Sequence, residues 1–74
     1  MQRIPVVSSS VAKVGYDPEQ HVLEVEFHGG RVYRYVHVPI AAYRLLLQAP
    51  SIGEYINRVI KPRFEAQRVI PESL

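Results

Sequence analysis

Apolar and polar residues alternate with a period of two through the first half of the chain, then recur at helical spacing through the second. The clearest alternation runs over residues 21–27, where Leu23, Val25 and Phe27 share one face and Glu24 and Glu26 share the other. An earlier segment, 11–17, alternates Ala12, Val14 and Tyr16 with Val11, Lys13 and Gly15, and a third, 31–38, carries Val32, Tyr33, Arg34 and Tyr35. Asp17-Pro18-Glu19-Gln20 separates the first two. Aspartate there accepts backbone hydrogen bonds and proline presets φ, which predicts a turn. Gly29-Gly30 separates the second and third and predicts a hairpin.

The hairpin admits two registers. A three-residue loop, His28-Gly29-Gly30, sets Val25 opposite Tyr33, Leu23 opposite Tyr35 and Glu24 opposite Arg34. A two-residue loop, Gly29-Gly30, turns both tyrosines to the Glu24/Glu26 face. The first is the expected one, because it gathers Leu23, Val25, Phe27, Tyr33 and Tyr35 on one face and sets opposite charges across from each other on the other.

Beyond Pro39, Ile40, Tyr43, Leu46 and Leu47 recur at helical spacing over 40–48, and Ala49-Pro50 ends the segment. Ser51-Ile52-Gly53-Glu54 fits a capping box. It opens a second helix over 52–61 with Ile52, Tyr55, Ile56, Val59 and Ile60 inward, which Pro62 is expected to stop. The pattern therefore predicts an α+β fold: a three-stranded antiparallel meander (about 11–17, 21–27, 31–38) followed by two helices (about 40–48, 52–61) packed on one face. Residues 1–10 lack periodicity and read as an extended N-terminal arm. Residues 11–64 form the domain, with Phe64 tacked onto its core. Residues 65–74 read as a flexible tail.

Seventy-four residues suffice for one domain. A chain of this size buries roughly 60% of its unfolded surface, so the core is thin. With no cysteine, neither disulfides nor thiolate metal sites are available to reinforce it. No segment has the apolar run of a signal peptide or the length of a membrane span, which predicts a soluble, cytoplasmic protein without a membrane partner. The net charge of +2 is unevenly spread. Residues 1–57 balance, whereas 58–74 hold Arg58, Lys61, Arg63 and Arg68 against Glu65 and Glu72. Seven of the nine bases are arginine, the side chain suited to phosphate forks and to stacking.

Several residues, taken in order, match a known pattern: Ser8-Ser9, Val14-Gly15-Tyr16-Asp17, Leu23-x-Val25-x-Phe27, a glycine turn, Tyr33-x-Tyr35, Val38-Pro39, Ala49-x-Ser51-x-Gly53 and Asn57. Over roughly residues 3–64 the chain resembles the KTSC domain, a short module that also occurs at the C-terminus of some lysyl-tRNA synthetases and as free-standing small proteins. The resemblance implies an RNA-related role through that association with a tRNA enzyme. The longer tail beyond Phe64 departs from the pattern.

Two groups of residues are candidates for binding. Tyr33 and Tyr35, flanked by Arg31 and Arg34, could stack unpaired bases while these arginines, with Arg58, Lys61 and Arg63, hold phosphates. The competing reading is that both rings pack in the core. The second group is Ser51, Gly53 and Asn57 with Ser8 and Ser9, a helix N-terminus able to receive an anion. Its competing reading is a helix cap, close helix–helix packing at Gly53 and Asn57 bonding a buried loop carbonyl. His21 and His37 are expected to face each other across strands two and three as a solvated pair, and no metal site is expected. No nucleophile–base pair or cofactor loop is recognisable, so neither catalysis nor a cofactor is expected. The expected function is a non-catalytic module that binds RNA, tRNA or a similarly structured one. The alternative is a protein-interaction or homodimerising module, using an apolar tail with Phe64, Val69 and Ile70 and the exposed sheet edges.

Overall fold

Asp17 Oδ1 accepts hydrogen bonds from the backbone amides of Glu19 (2.9 Å) and Gln20 (3.2 Å), closing the turn expected after the first meander strand. The computed structural model describes residues 2–69, and within them the chain is a five-stranded antiparallel sheet in sequential order with two helices on one face. The strands are β1 (Ile4–Pro5), β2 (Val11–Asp17), β3 (Val22–Phe27), β4 (Val32–Tyr35) and β5 (Ala66–Val69). Helix α1 spans Ile40–Gln48. Helix α2 covers 52–63 as an α-turn (Ile52–Tyr55), a π-helical segment (Ile56–Ile60) and a last α-turn (Lys61–Arg63).

The three-residue hairpin loop is the one formed. Phe27 N–H donates to Arg31 O at 2.8 Å, Gly29 and Gly30 take φ of 101° and 93°, and Leu23 pairs with Tyr35, Glu24 with Arg34 and Val25 with Tyr33. The resulting apolar face meets the helices in a core of Val11, Val14, Leu23, Val25, Tyr35, Val38, Leu46, Ile56 and Ile60, edged by Ala42 and Ile52. Tyr16 anchors α1 to this sheet: its ring stacks on Tyr43 at 5.1 Å and its hydroxyl donates to Val38 O. Burial, with a lesser contribution from Asp17, holds the Tyr16 pKa above its ordinary value.

Several expectations are corrected. The sheet has five strands rather than three, because part of the expected arm forms β1 and part of the expected tail forms β5. Ile70, assigned to an apolar tail, lies outside the described residues. A β-bulge between Val11 and Lys13 makes Ala12 the extra residue, so Val11, Val14 and Tyr16 all reach the core side despite their odd spacing. The expected strands 21–27 and 31–38 shorten to β3 and β4, with His21 and His37 at left-handed φ of 57° and 59° outside them. Neither lies in a strand, so they do not face each other in a ladder; instead His21 O accepts from Val38 N–H at 2.8 Å.

On α1 the buried residues are Ala42 and Leu46, whereas Ile40 and Leu47 remain 43% and 40% exposed. Pro62 does not stop α2. In an unbroken α-helix its ring would meet the carbonyl of Arg58, and it has no N–H to donate there. The preceding turns widen to the π register, with Lys61 N–H bonded to Ile56 O, and the helix continues until Phe64 N–H closes on Ile60 O at 3.0 Å. Ser51 caps α2 by accepting from Glu54 N–H at 3.3 Å, but Glu54 pairs with Arg58 (3.5 Å).

Candidate nucleic-acid interface

Near the β3–β4 hairpin the helices no longer cover the sheet, and an open groove of about 290 Å³ lies between the sheet and the end of α2. Its lining is Phe27, Arg31, Tyr33, Tyr35, Lys61 and Ala66. Antiparallel pairing places Phe27, Tyr33 and Tyr35 on the same side of adjacent strands, and β5 sets Ala66 opposite Tyr35 and Arg68 opposite Tyr33. The ring of Phe27 meets Tyr33 edge-on at 5.8 Å, and Lys61 Nζ sits over Phe27, 5.8 Å from its centroid. Such a cation over an aromatic face is held by the ring quadrupole.

The two tyrosines differ in environment. Tyr35 is 2% exposed and is part of the core, as the packing reading had it. Burial, with a smaller contribution from Tyr33, raises its pKa. Tyr33 is half-buried and presents part of its ring to the groove. Among the described residues no carboxylate lines the groove or forms an ion pair with Arg31, Lys61, Arg63 or Arg68. Two other grooves contain acids: Glu54 in one beside Ser51, Tyr55 and Arg58, and Asp17 and Glu19 in the other.

The remaining candidates fall elsewhere. Arg34 points to the opposite face of the sheet, where its Nε lies 3.4 Å from Glu24 Oε2 and is buried without a hydrogen-bond partner. Arg3 crosses the same face and binds Glu24 at 2.8 Å and Glu26 at 2.7 Å. Its path depends on Gly15: a Cβ there would lie 2.8 Å from the backbone oxygen of Gln2. Arg58 is paired with Glu54, and Arg63 is exposed in the last turn of α2.

Of the second group, Ser8 and Gly53 are brought close. Ser10 approaches Gly53 most tightly, its hydroxyl 2.4 Å from where a Cβ would stand, with the Ser8 hydroxyl at 3.7 Å. Ser8 Oγ accepts from the amides of Ser10 and Val11, both at 3.2 Å, so it serves the local turn. Ser9 and Asn57 are exposed. Gly53 is closely packed, but against the loop bearing Ser8 and Ser10 and not against another helix as expected. No group of three or more His, Asp or Glu side chains that could hold a metal ion occurs among the described residues.

The KTSC domain profile matches residues 7–64. The chain belongs to the KTSC domain family. A KTSC domain protein of Yersinia pestis has a crystal structure that superposes with a TM-score of 0.87 at 37% identity, covering 93% of this chain and 97% of that one. An uncharacterised protein of Stutzerimonas stutzeri is 49% identical over 63 residues, 85% of this chain and 89% of its own length. A lysine–tRNA ligase of Nostoc is 35% identical over 54 residues, 73% of this chain but 10% of the ligase. This KTSC domain thus recurs both alone and as a small part of a tRNA enzyme.

Sequence reasoning missed two residues that line the groove and a third, Arg68, beside it. Phe27 reads as a core residue from its alternation, but it ends β3 and is only partly buried, unlike Leu23 and Val25. Ala66 and Arg68 were placed in the tail, where only the local excess of basic charge hinted at a role. No helix of the described residues is long and apolar enough to cross a membrane.

Proposed function

We propose that this KTSC domain is a non-catalytic RNA-binding module, with the Phe27–Tyr33 groove as its contact face and a tRNA or similarly structured RNA as its target. The observation that carries this reading is the coincidence of exposed aromatic surface with cations that no described carboxylate neutralises. Arg31 and Lys61 flank the groove, and Arg68 and Arg63 add positive charge from the neighbouring strand and helix end. Arginine and lysine on phosphate supply affinity, and aromatic faces accept unpaired bases. The kinship with part of a lysine–tRNA ligase supports the same reading. A gel-shift titration with tRNA at about 50 and about 200 mM salt tests it, because phosphate contacts release counterions and binding must weaken steeply across that range. Absence of binding at low salt and about 10 μM protein would refute it, because even non-specific Kd values run from roughly 1 to 100 μM at physiological salt and tighten as salt falls.

A second reading, a protein-interaction module, has its own support. Leu45 is 57% exposed on α1, and with Ile40 and Leu47 it leaves that helix apolar on both flanks of its buried stripe. Sedimentation of the pure protein separates the two: a salt-insensitive dimer without affinity for RNA favours association through α1.

A further inference from the structure

The groove offers less stacking surface than its three aromatic rings suggest. Tyr35 lies within the core and contributes only its rim. The face of Phe27 is taken by Lys61 Nζ, and its ring meets Tyr33 edge-on at 79°. Two rings so crossed cannot present parallel platforms to two consecutive bases. Tyr33, half-buried on the strand, is the remaining ring that lines the open volume. The volume of about 290 Å³ lies at the low end of small-ligand sites, which run from roughly 300 to 1,000 Å³. Arg31 and Lys61 line it, and among the described residues no acid competes for them there. On the far side the wall is Ala66, a small residue on β5.

From this arrangement we propose that the groove seats one unpaired base of a single-stranded or looped RNA, stacked on Tyr33 with its flanking phosphates on Arg31 and Lys61. The inference rests on the RNA-binding reading and narrows it. A duplex keeps its base faces inside the helix and cannot use Tyr33, so it can engage only the cations. A run of stacked bases is also excluded, so the site reads one nucleotide per domain. The small size of Ala66 is what leaves the seat open, and β5 thereby acts as a specificity element at the groove.

The test compares an oligonucleotide of about ten uridines or adenosines with a blunt RNA duplex, by fluorescence anisotropy. It uses the full chain and two variants, Ala66→Leu and Tyr33→Leu. Ala66 is exposed on an edge strand, so the leucine fills the groove without removing a charge or a core contact. The wild type is expected to bind single strands at least several-fold tighter than duplex. Each variant should weaken single-strand binding by about 5- to 150-fold, equivalent to the roughly 1–3 kcal/mol of one base–aromatic stack, and leave duplex binding unchanged. A thermal melt of Ala66→Leu matching the wild type confirms that the fold is retained. Equal affinity for both RNAs, with Ala66→Leu unaffected, overturns the single-base seat while the salt-dependent RNA reading survives. No affinity for either RNA overturns both.

Discussion

Tyr33 and Tyr35 share a strand and a face, yet one is a core residue and the other a groove residue. Tyr35 sits opposite Leu23 beneath the helices, whereas Tyr33 sits one step nearer the hairpin, beside Phe27, where the cover ends. Burial raises the Tyr35 pKa above the ordinary 10.0, so the unfolded chain loses this proton at lower pH than the folded one does. Its contribution to stability is therefore complete below pH 10 and is lost as pH rises toward the folded-state value. Tyr35→Phe should flatten the alkaline fall of thermal stability, read as Tm between pH 9 and about 11, because phenylalanine has nothing to ionise. Truncating a core side chain acts differently. Ile56→Ala should lower unfolding free energy by about 2–5 kcal/mol in a urea titration, since Ile56 is fully buried against the sheet. At this scale the sequence was most legible where alternation was strict. Leu23, Val25 and Glu24 could be placed by parity alone. Ile40 and Leu47 could not, because an apolar residue at helical spacing is also found on the flanks of a stripe. Arg34 and Tyr33 are adjacent in the chain, and only the pleat separates their faces, which is why a list of nearby arginines overcounts the interface.

The elements show where pattern ran out. The three central strands and both helices were predictable because each carries a repeated apolar face or a strong stop signal. β1 and β5 were not. Ile4–Pro5 is two residues long, and β5 exposes Ala66, Gln67 and Arg68 in turn, so neither presents an alternation to read. Edge strands of this kind are defined by the neighbour they pair with. The left-handed histidines were equally hidden, since that conformation leaves no periodic trace. The N-terminal arm makes a prediction of its own. Gly15→Ala would push a Cβ against the Gln2 carbonyl and Arg3, lifting β1 and breaking the Arg3 ion pairs with Glu24 and Glu26. Hydrogen exchange should then accelerate at the Val6 amide, which bonds Ala12 O at 3.1 Å, while the core amides keep their protection. The loss of global stability should stay near 1 kcal/mol, the scale of partly exposed ion pairs and well below that of Ile56→Ala.

At the scale of the whole molecule, charge is sorted by face. The outer face of the sheet neutralises its own charges through Arg3, Glu24, Glu26 and Arg34, and α2 pairs Glu54 with Arg58. The cations at the groove, Arg31 and Lys61, have no such partner among the described residues. The modest net charge therefore understates the positive potential offered to a ligand at that one place. Arg31→Gln and Lys61→Gln should each reduce the slope of log affinity against log salt by about 0.7–0.9, whereas Arg34→Gln should leave it unchanged. The location of the contact face is tested most directly by chemical-shift mapping of the isotope-labelled domain titrated with tRNA. The account predicts shifts concentrated at Phe27, Arg31, Tyr33, Lys61 and Ala66, with the outer sheet face and α1 silent. Shifts centred on α1 or on the Arg3–Glu24–Arg34 face, with the groove residues unmoved, would contradict it.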